Sequence, residues 1–272
     1  MILNPLVLPP QPFLWLYVLL LGASWLLSHY AGRRLRPDGV RRTVSDPDSL
    51  AMLNGGVARL ADTAVARLMA AGVLVADKGG RFWRTDRGAA LLASPVDRAM
   101  VALPATAQWR QLCKVAKAGA AGVHRQLQRD GLMIDDDMLR QMRLVQVLPF
   151  VALLMLGTAR LLRGIMLDHP VGYLMVLMIV TVVIGVSRLS VDRRTRAGMA
   201  VVGEARDACH RLRLAPTQQE MALAVALFGT GVLAGSAYEA LHRLRAGGSD
   251  GVGSSSSDGS GCGSGGCGGC GG

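Results

Sequence analysis

The chain has few aromatic residues and none of the sequence motifs of the common enzyme classes. Phe, Trp and Tyr make up 4% of its 272 residues, whereas hydrophobic residues make up 51%. The nucleophile elbow, the zincin helix, the P-loop and the dinucleotide-binding glycine loop are missing from the sequence. Its five histidines are scattered, and none has a partner at metal-ligand spacing. We therefore expect a protein that is not an enzyme.

Three short groups of reactive side chains have structural explanations. Cys209 and His210 are adjacent, so their side chains would point apart on a helix. Cys113 is expected to be a small buried apolar residue. The run 135–137 consists of three aspartates before a helix that we expect to reach Arg143. Acidic residues favour the positive end of a helix dipole, so we interpret this run as a helix cap rather than a cation site.

The cysteines are too unevenly spread for a disulfide framework. Three of the five lie between glycines in residues 261–272, at Cys262, Cys267 and Cys270. That segment has no large apolar side chain to bury, so we expect residues 241–272 to form a disordered tail. Three thiolates could hold Cu(I), or Zn(II) with a fourth ligand. Alternatively, the cysteines are substrates of a modifying enzyme, or the tail has no chemical role.

Charged residues are missing from residues 1–32, where an apolar run precedes Arg33, Arg34 and Arg36. No basic segment comes before that run, so we interpret it as a membrane span rather than a cleaved signal peptide. Basic residues on its C-terminal side predict that this side is cytoplasmic and that the N-terminus lies outside. The formal charge of the whole chain, +11, favours cytoplasmic loops near anionic lipid over a nucleic-acid partner.

Three further charge-poor runs predict a mainly α, four-span protein of the bacterial inner membrane. Residues 145–162 and 171–187 would form a helical hairpin, and residues 221–238 a fourth span. Counting crossings puts the tail outside the cytoplasm, although Arg243 and Arg245 oppose that assignment. In the fourth span, Gly231 and Gly235 match GxxxG, which predicts a helix contact within the bundle or between copies. The predicted domains are residues 1–32 (span), 33–143 (cytoplasmic helical domain), 144–190 (span hairpin), 191–220 (cytoplasmic helix), 221–240 (fourth span) and 241–272 (tail).

The cytoplasmic domain resembles a winged helix. A helix with an apolar stripe begins near Ser49 or Asn54 and stops before Gly72, and a short hairpin pairs residues 74–76 with residues 81–85. A second helix over residues 86–92 and a third beginning at Ser94 follow. The octet 68–75, LMAAGVLV, is echoed by LQRDGLMI at 127–134, which predicts two modules in tandem. The second module has no RFWRT-like return strand, so its wing should be degenerate.

Nucleic-acid binding by this domain is not expected. The hairpin carries Arg81, Arg84 and Arg87, which could meet phosphates. However, the candidate recognition helix has only Arg59 and Arg67 as basic residues, and base readout needs side chains that reach base edges. We expect Phe82 or Trp83 to pack the hairpin on the helix instead.

Taken together, the early span, the AGVLVAD helix end, the HPVGYL entry at 169–174, ALFG at 226–229 and the tail resemble a family of bacterial multi-pass membrane proteins with Gly/Cys-rich C-terminal tails. The function of that family is not established, so the resemblance implies only that the tail and the membrane domain act as a unit. We expect a membrane protein that tethers the cysteine tail for soft-metal binding or for modification. Its partners would be the bilayer and a tail-modifying enzyme or a metal-handling protein. The alternative is a membrane-tethered regulator whose winged-helix-like domain acts on DNA or on a protein.

Overall fold

The computed structural model describes residues 10–40, 42–77, 81–85, 94–166, 172–189 and 192–247. It is mainly helical and divides into two compact units, unit 1 (Met1–Pro37 and Ile134–Arg193) and unit 2 (Asp38–Met133 and Arg194–Gly272). Along the chain the elements are α1 (Pro10–Arg34), α2 (Pro47–Ala70), β1 (Leu74–Ala76), β2 (Arg81–Arg84), α3 (Pro95–Val101), β3 (Thr106–Gln108), α4 (Trp109–Arg129), α5 (Asp136–Met166), α6 (Gly172–Ser187), α7 (Arg196–Ala208), α8 (Met221–Phe228) and α9 (Glu239–Gly247).

Unit 1 consists of α1, α5 and α6. In the described part of the chain, α1 and α5 are the two helices long and apolar enough to cross a membrane, which agrees with the first two predicted spans. Only 17% and 22% of their apolar windows are buried, so they do not resemble core helices of a soluble protein. The predicted third span is shorter than expected, because α6 has 16 residues and residue 171 lies outside the described residues.

The surface of unit 1 is apolar and its interior contains polar contacts. The Tyr17 hydroxyl and Thr181 Oγ1 are buried and lie 3.2 Å apart, in hydrogen-bond contact. A Cβ on Gly157 would lie 3.1 Å from Tyr17 and 3.2 Å from Met178, so the glycine lets three helices approach closely. The large apolar side chains that are more than half exposed include Trp15, Leu19, Leu148, Met155, Tyr173 and Ile179. Exposed apolar area of this extent marks a surface for lipid or protein.

Helix α5 joins two predicted elements. The helix that we expect to end at Arg143 continues without a break to Met166, over 31 residues or about 46 Å. Asp136 and Asp137 lie in its first turn, as the cap interpretation predicts. Pro149 lies in the helix interior rather than near its start.

Unit 2 begins with the predicted stripe helix and hairpin. Helix α2 is kinked at Gly55 and Gly56, where the φ of Gly56 is 63°, which explains why the sequence shows two starts for one helix. Strands β1 and β2 pair antiparallel, and β3, which the sequence does not reveal, adds to the other edge of β2. Phe82 is buried beside Trp109 of α4, with ring centroids 6.1 Å apart, and therefore packs the hairpin against this helix. The predicted helix over residues 86–92 lies outside the described residues.

The predicted fourth span is wrong. Its helical part, α8, ends at Phe228 after eight residues, and Gly229 follows with φ 90°. Val225, Ala226 and Leu227 are completely buried in the same core as α2. Gly231 lies in a 3-10 turn, Thr230–Leu233, and Gly235 has φ 73°, so the two glycines do not share a helix face. The continuous helix that a GxxxG contact requires is therefore absent from these described residues.

Side chains of unit 2 explain why α8 stops where it does. The carbonyl groups of Ala226 and Leu227 accept hydrogen bonds from Asn54 Nδ2 at 2.7 and 2.8 Å. Arg206 donates to the Leu227 carbonyl at 3.2 Å and to Asn54 Oδ1 at 2.6 Å. The last carbonyl groups of a helix need such partners, and lipid offers none. The α8 part of this run, Met221–Phe228, lacks charge because it packs in a protein core.

Candidate functional site

The predicted tail site, Cys262, Cys267 and Cys270, lies outside the described residues. The structure does show how the preceding helix is held. Arg245 in α9 forms a 2.9 Å ion pair with the buried Asp62 of α2, and its guanidinium lies 5.3 Å from the centre of the Trp109 ring. We call the contacts of Arg245 with Asp62 and Trp109 the tail clamp. The clamp attaches α9 to unit 2. Residues 241–247, which the sequence assigns to the disordered tail, are therefore helical, and the prediction is wrong for this part.

The carboxyl group of the clamp titrates close to neutral pH. Burial raises the pKa of Asp62 to about 6, against the opposing attraction of Arg245 and Arg59. The folded chain therefore binds a proton at Asp62 more readily than the unfolded chain does. This contribution to the free energy of unfolding is fully present below about pH 4 and is lost as the pH rises through about 6.

We expect Asp62→Asn to flatten this part of the pH profile. Between pH 7 and pH 5 the wild-type protein should gain about 1 kcal/mol more stability than the variant, because only the wild type takes up the proton. Hydrogen exchange of α2 amides in the full-length protein measures the difference. Asp38→Asn, at an exposed carboxylate paired with Arg196, is the matched control and should keep the wild-type profile. Parallel profiles for Asp62→Asn and the wild type would contradict the assignment.

A buried ionic cluster joins α2 to α3. Arg67 binds Asp48 at 2.7 Å. Its Nη2 also donates to Asp97 Oδ1 at 2.9 Å, and its Nε lies 2.8 Å from Asp97 Oδ2 in ion-pair contact. The Ser94 hydroxyl donates to Asp48 and caps α3 by accepting from the Val96 amide. Burial raises the pKa of Asp97, and the Arg67 guanidinium opposes that rise. The cluster contains no imidazole to activate Ser94, so we assign it a structural role.

Among the described residues, no arrangement of side chains is suited to binding a metal ion. No group of three His, Cys, Asp or Glu side chains in the described ranges could hold a metal ion. Cys113 and Cys209 form no disulfide within the described residues, and both are half-buried. Cys113 is thus less buried than expected.

The two helix ends that echo each other in sequence have the same backbone structure. Gly72 and Gly131 both have φ 70°. After each glycine, the next amide donates to the carbonyl group four residues before that glycine, at 2.9 and 3.0 Å respectively. This is the Schellman motif, in which glycine supplies the left-handed residue. The repeat predicted from the octets therefore extends to their hydrogen bonding.

Two threonines extend this correspondence. Thr85 and Thr195 each donate their amide to the residue after the glycine, at 2.9 and 3.1 Å, and their hydroxyl to the carbonyl group of Gly72 or Gly131. The glycine and threonine are 13 residues apart in the first module and 64 in the second. The second module does have a return segment, residues 193–195, which comes only after α6. It is short, since a single bridge, Met133 to Arg194, pairs it with the helix end.

The candidate recognition helix is inaccessible. All residues from Leu60 to Ala70 of α2 except the partly exposed Arg67 are buried, and α4 and α8 both pack against this helix. Arg67 is occupied by the ionic cluster, and the Arg59 guanidinium lies against Gly229. In the hairpin, Arg84 donates to the Val101 carbonyl at 2.7 Å, while Arg87 lies outside the described residues. Base reading by α2 finds no support in this geometry.

The exposed face of α4 carries a group of basic residues that belongs to no predicted site. Arg110, Lys114, Lys117 and Arg125 are exposed and fall within about 80° of the helix circumference at 100° per residue. We call these four residues the α4 basic face. The helix contains no Asp or Glu, and its opposite side is buried through Leu112, Ala116, Ala120 and Leu127. Their spacing is visible in the sequence, but their exposure is not.

Comparison with protein-family models, curated proteins and solved structures finds no match to the chain. The resemblance described above therefore stays a prediction.

Proposed function

We propose that this is a non-enzymatic membrane protein that holds a cysteine-bearing tail against a folded domain, for soft-metal binding or for covalent modification. The observation that carries the proposal is the inverted surface of unit 1. Many of its large apolar side chains face outward, whereas the Tyr17 and Thr181 hydroxyl groups meet inside. A lipid environment accommodates a helical unit whose surface is apolar and whose polar groups pair inside it. The tail clamp supports the second part of the proposal, that the tail is held against a folded domain, since it attaches α9 to unit 2.

Helix α6, with its flanking residues, is proposed to return the chain across the bilayer after α5. The support comes from the two ends of this hairpin. The Ile134 amide donates to the Arg193 carbonyl at 2.8 Å, so both ends lie at one place within unit 1. A chain that leaves along α5 must come back to make this bond. Crossings by α1, α5 and α6 then leave residues 38–133 and 194–247 on the same side.

The tail is therefore proposed to be on the side of unit 2, which the positive-inside rule makes the cytoplasm. This reverses the sidedness expected from four crossings, because α8 is an eight-residue helix in the core of unit 2 and not a span. It also accounts for the basic residues after that segment, since Arg245 pairs with Asp62. Cysteines in the cytoplasm are kept reduced, as a thiolate ligand or a thiol substrate requires.

Thiol labelling with a mass readout tests the proposal. In the full-length protein with Cys113→Ser and Cys209→Ser, only the three tail cysteines can react with a membrane-impermeant maleimide. We expect no adducts in intact cells and adducts after permeabilisation. Full labelling would indicate unmodified thiols, and prior loading with Cu(I) or Zn(II) should then block it. Fewer adducts, with a matching mass increase, would indicate modification.

The matched control restores Cys113 and Cys209 and replaces the three tail cysteines by serine. It should show no metal-dependent block and no added mass. Adducts in intact cells would contradict the proposed side of the tail. Full labelling that neither metal reduces would contradict the proposed chemistry, whichever side the tail occupies.

A further inference from the structure

We propose that the α4 basic face is a docking surface for the phosphate-bearing headgroups of an anionic lipid bilayer. The proposal rests on the membrane anchoring proposed above, but it does not involve the tail cysteines. In the second module, α4 corresponds to α2 of the first module. Helix α2 is buried, whereas α4 has an exposed face, and the proposal assigns a partner to that face.

Comparison of the two modules shows why this face is open. When Gly72 is aligned with Gly131, Ala66 and Ala70 of α2 correspond to Arg125 and Arg129 of α4. Ala66 is completely buried and Ala70 is 7% exposed, because α8 packs against α2. Arg125 and Arg129 are exposed. On this side, α2 carries small side chains that α8 covers. On the corresponding side, α4 carries basic side chains that are exposed.

The chemistry of this face suits phosphate rather than bases. Ala121 lies between the basic residues, and Ala118 and Gly122 lie beside them, all three exposed. No bulky side chain at these positions keeps the basic residues away from a flat surface. The first and last residues of the face, Arg110 and Arg125, are 15 positions apart, which is about 22 Å along the helix. That length spans several headgroups, and each basic residue close to an anionic surface increases partitioning by about fivefold.

Chain connectivity favours a bilayer over nucleic acid. Only six residues, 130–135, separate Arg129, the last residue of α4, from Asp136, the first of α5. Even fully extended, they reach about 25 Å. If α5 enters the bilayer, the end of α4 stays tethered to the membrane by this connection, whereas nucleic acid has to be recruited. Anionic lipid headgroups are therefore the phosphate groups that this surface reaches most readily.

A fluorophore on α4 tests the docking. The full-length protein, with its native cysteines replaced by serine and Ala121→Cys labelled, is placed in nanodiscs that carry a headgroup-attached quencher. We expect quenching to increase about twofold or more when a third of the lipid is phosphatidylglycerol instead of phosphatidylcholine, and to fall at high salt. The variant Lys114→Gln/Lys117→Gln/Arg125→Gln should abolish the response. All three side chains are exposed, so the fold should persist.

The control removes the same charge elsewhere in unit 2, with Arg81→Gln/Arg98→Gln/Arg213→Gln at exposed positions on other elements. It should leave the response unchanged. An equal loss in both triple variants, or quenching that ignores phosphatidylglycerol, overturns the docking alone. Tight binding of duplex DNA that needs the α4 residues, without a lipid response, overturns it in favour of nucleic acid. A protein that stays soluble without lipid overturns the anchoring, and the docking with it.

Discussion

Replacing Arg67 by methionine should lower the free energy of unfolding of unit 2 by about 3–5 kcal/mol at neutral pH. Methionine keeps much of the length of the side chain but leaves two carboxylates without their cation. The side chains of Asp48 and Asp97 are 5% and 1% exposed, so water cannot replace the lost partner. Breaking a buried pair on one side is costly because the remaining charge stays desolvated.

The loss in Arg67→Met should shrink as the pH is lowered from 7 to 5. Burial already raises the pKa of Asp97, and removal of the guanidinium removes the attraction that opposes this rise. The folded variant then takes up a proton that the unfolded chain does not, so acid favours the folded form. Hydrogen exchange of α2 and α3 amides in the full-length protein measures both effects. Arg98→Met, at the next residue after Asp97 and exposed, should change stability by less than about 0.5 kcal/mol. Equal losses of stability in Arg67→Met and Arg98→Met would contradict the stabilising role assigned to the ionic cluster.

Gly229→Ala should destabilise unit 2 by about 1–3 kcal/mol, whereas Gly231→Ala should be nearly neutral. Gly229 has φ 90° and ψ −176°, a conformation that is accessible to glycine but strained for alanine. A Cβ there would also displace the guanidinium of Arg59. At Gly231 an added Cβ meets nothing within 4 Å, and its φ lies outside the positive range.

This pair of variants separates the buried segment from a membrane span by the sign of the effect. In a continuous helix, Gly229→Ala would stabilise by about 1 kcal/mol, since alanine is the better helix former. A GxxxG contact would make Gly231 the sensitive position instead. Thermal unfolding of the purified full-length protein, followed by hydrogen exchange of α8, gives the order of the two variants. A stable Gly229→Ala protein combined with a damaged Gly231→Ala protein would restore the fourth span.

Local features of unit 2 could be predicted from the sequence because their causes lie close together in the chain. Gly72 ends α2 through a hydrogen bond between residues five apart, and Phe82 turns inward because side chains alternate along a strand. The apolar stripe of α2 likewise follows from the period of the helix. What the stripe does not show is that the other side of the same helix is covered as well.

Features that depend on distant residues could not be predicted in this way. Asn54 caps a carbonyl group 172 residues away, and nothing in the run 221–238 distinguishes a protein core from lipid. One signal was available for the return segment. Arg84-Thr85 is followed by Gly88 and Ala90, and Arg194-Thr195 by Gly198 and Ala200, at the same spacing. This second echo locates the end of the second module, but only a search across the intervening hairpin reveals it.

The position of the return segment dictates the order in which the protein can be completed during synthesis. Residues 134–193 must be translated before Thr195 can bind the end of α4 and before α8 can cover α2. At 5–20 residues per second, ribosomes need roughly 3–12 s for these 60 residues. Throughout that interval the alanine-rich side of α2 is not yet covered by α8. Formation of the α5–α6 hairpin and completion of unit 2 are therefore consecutive steps of one folding pathway.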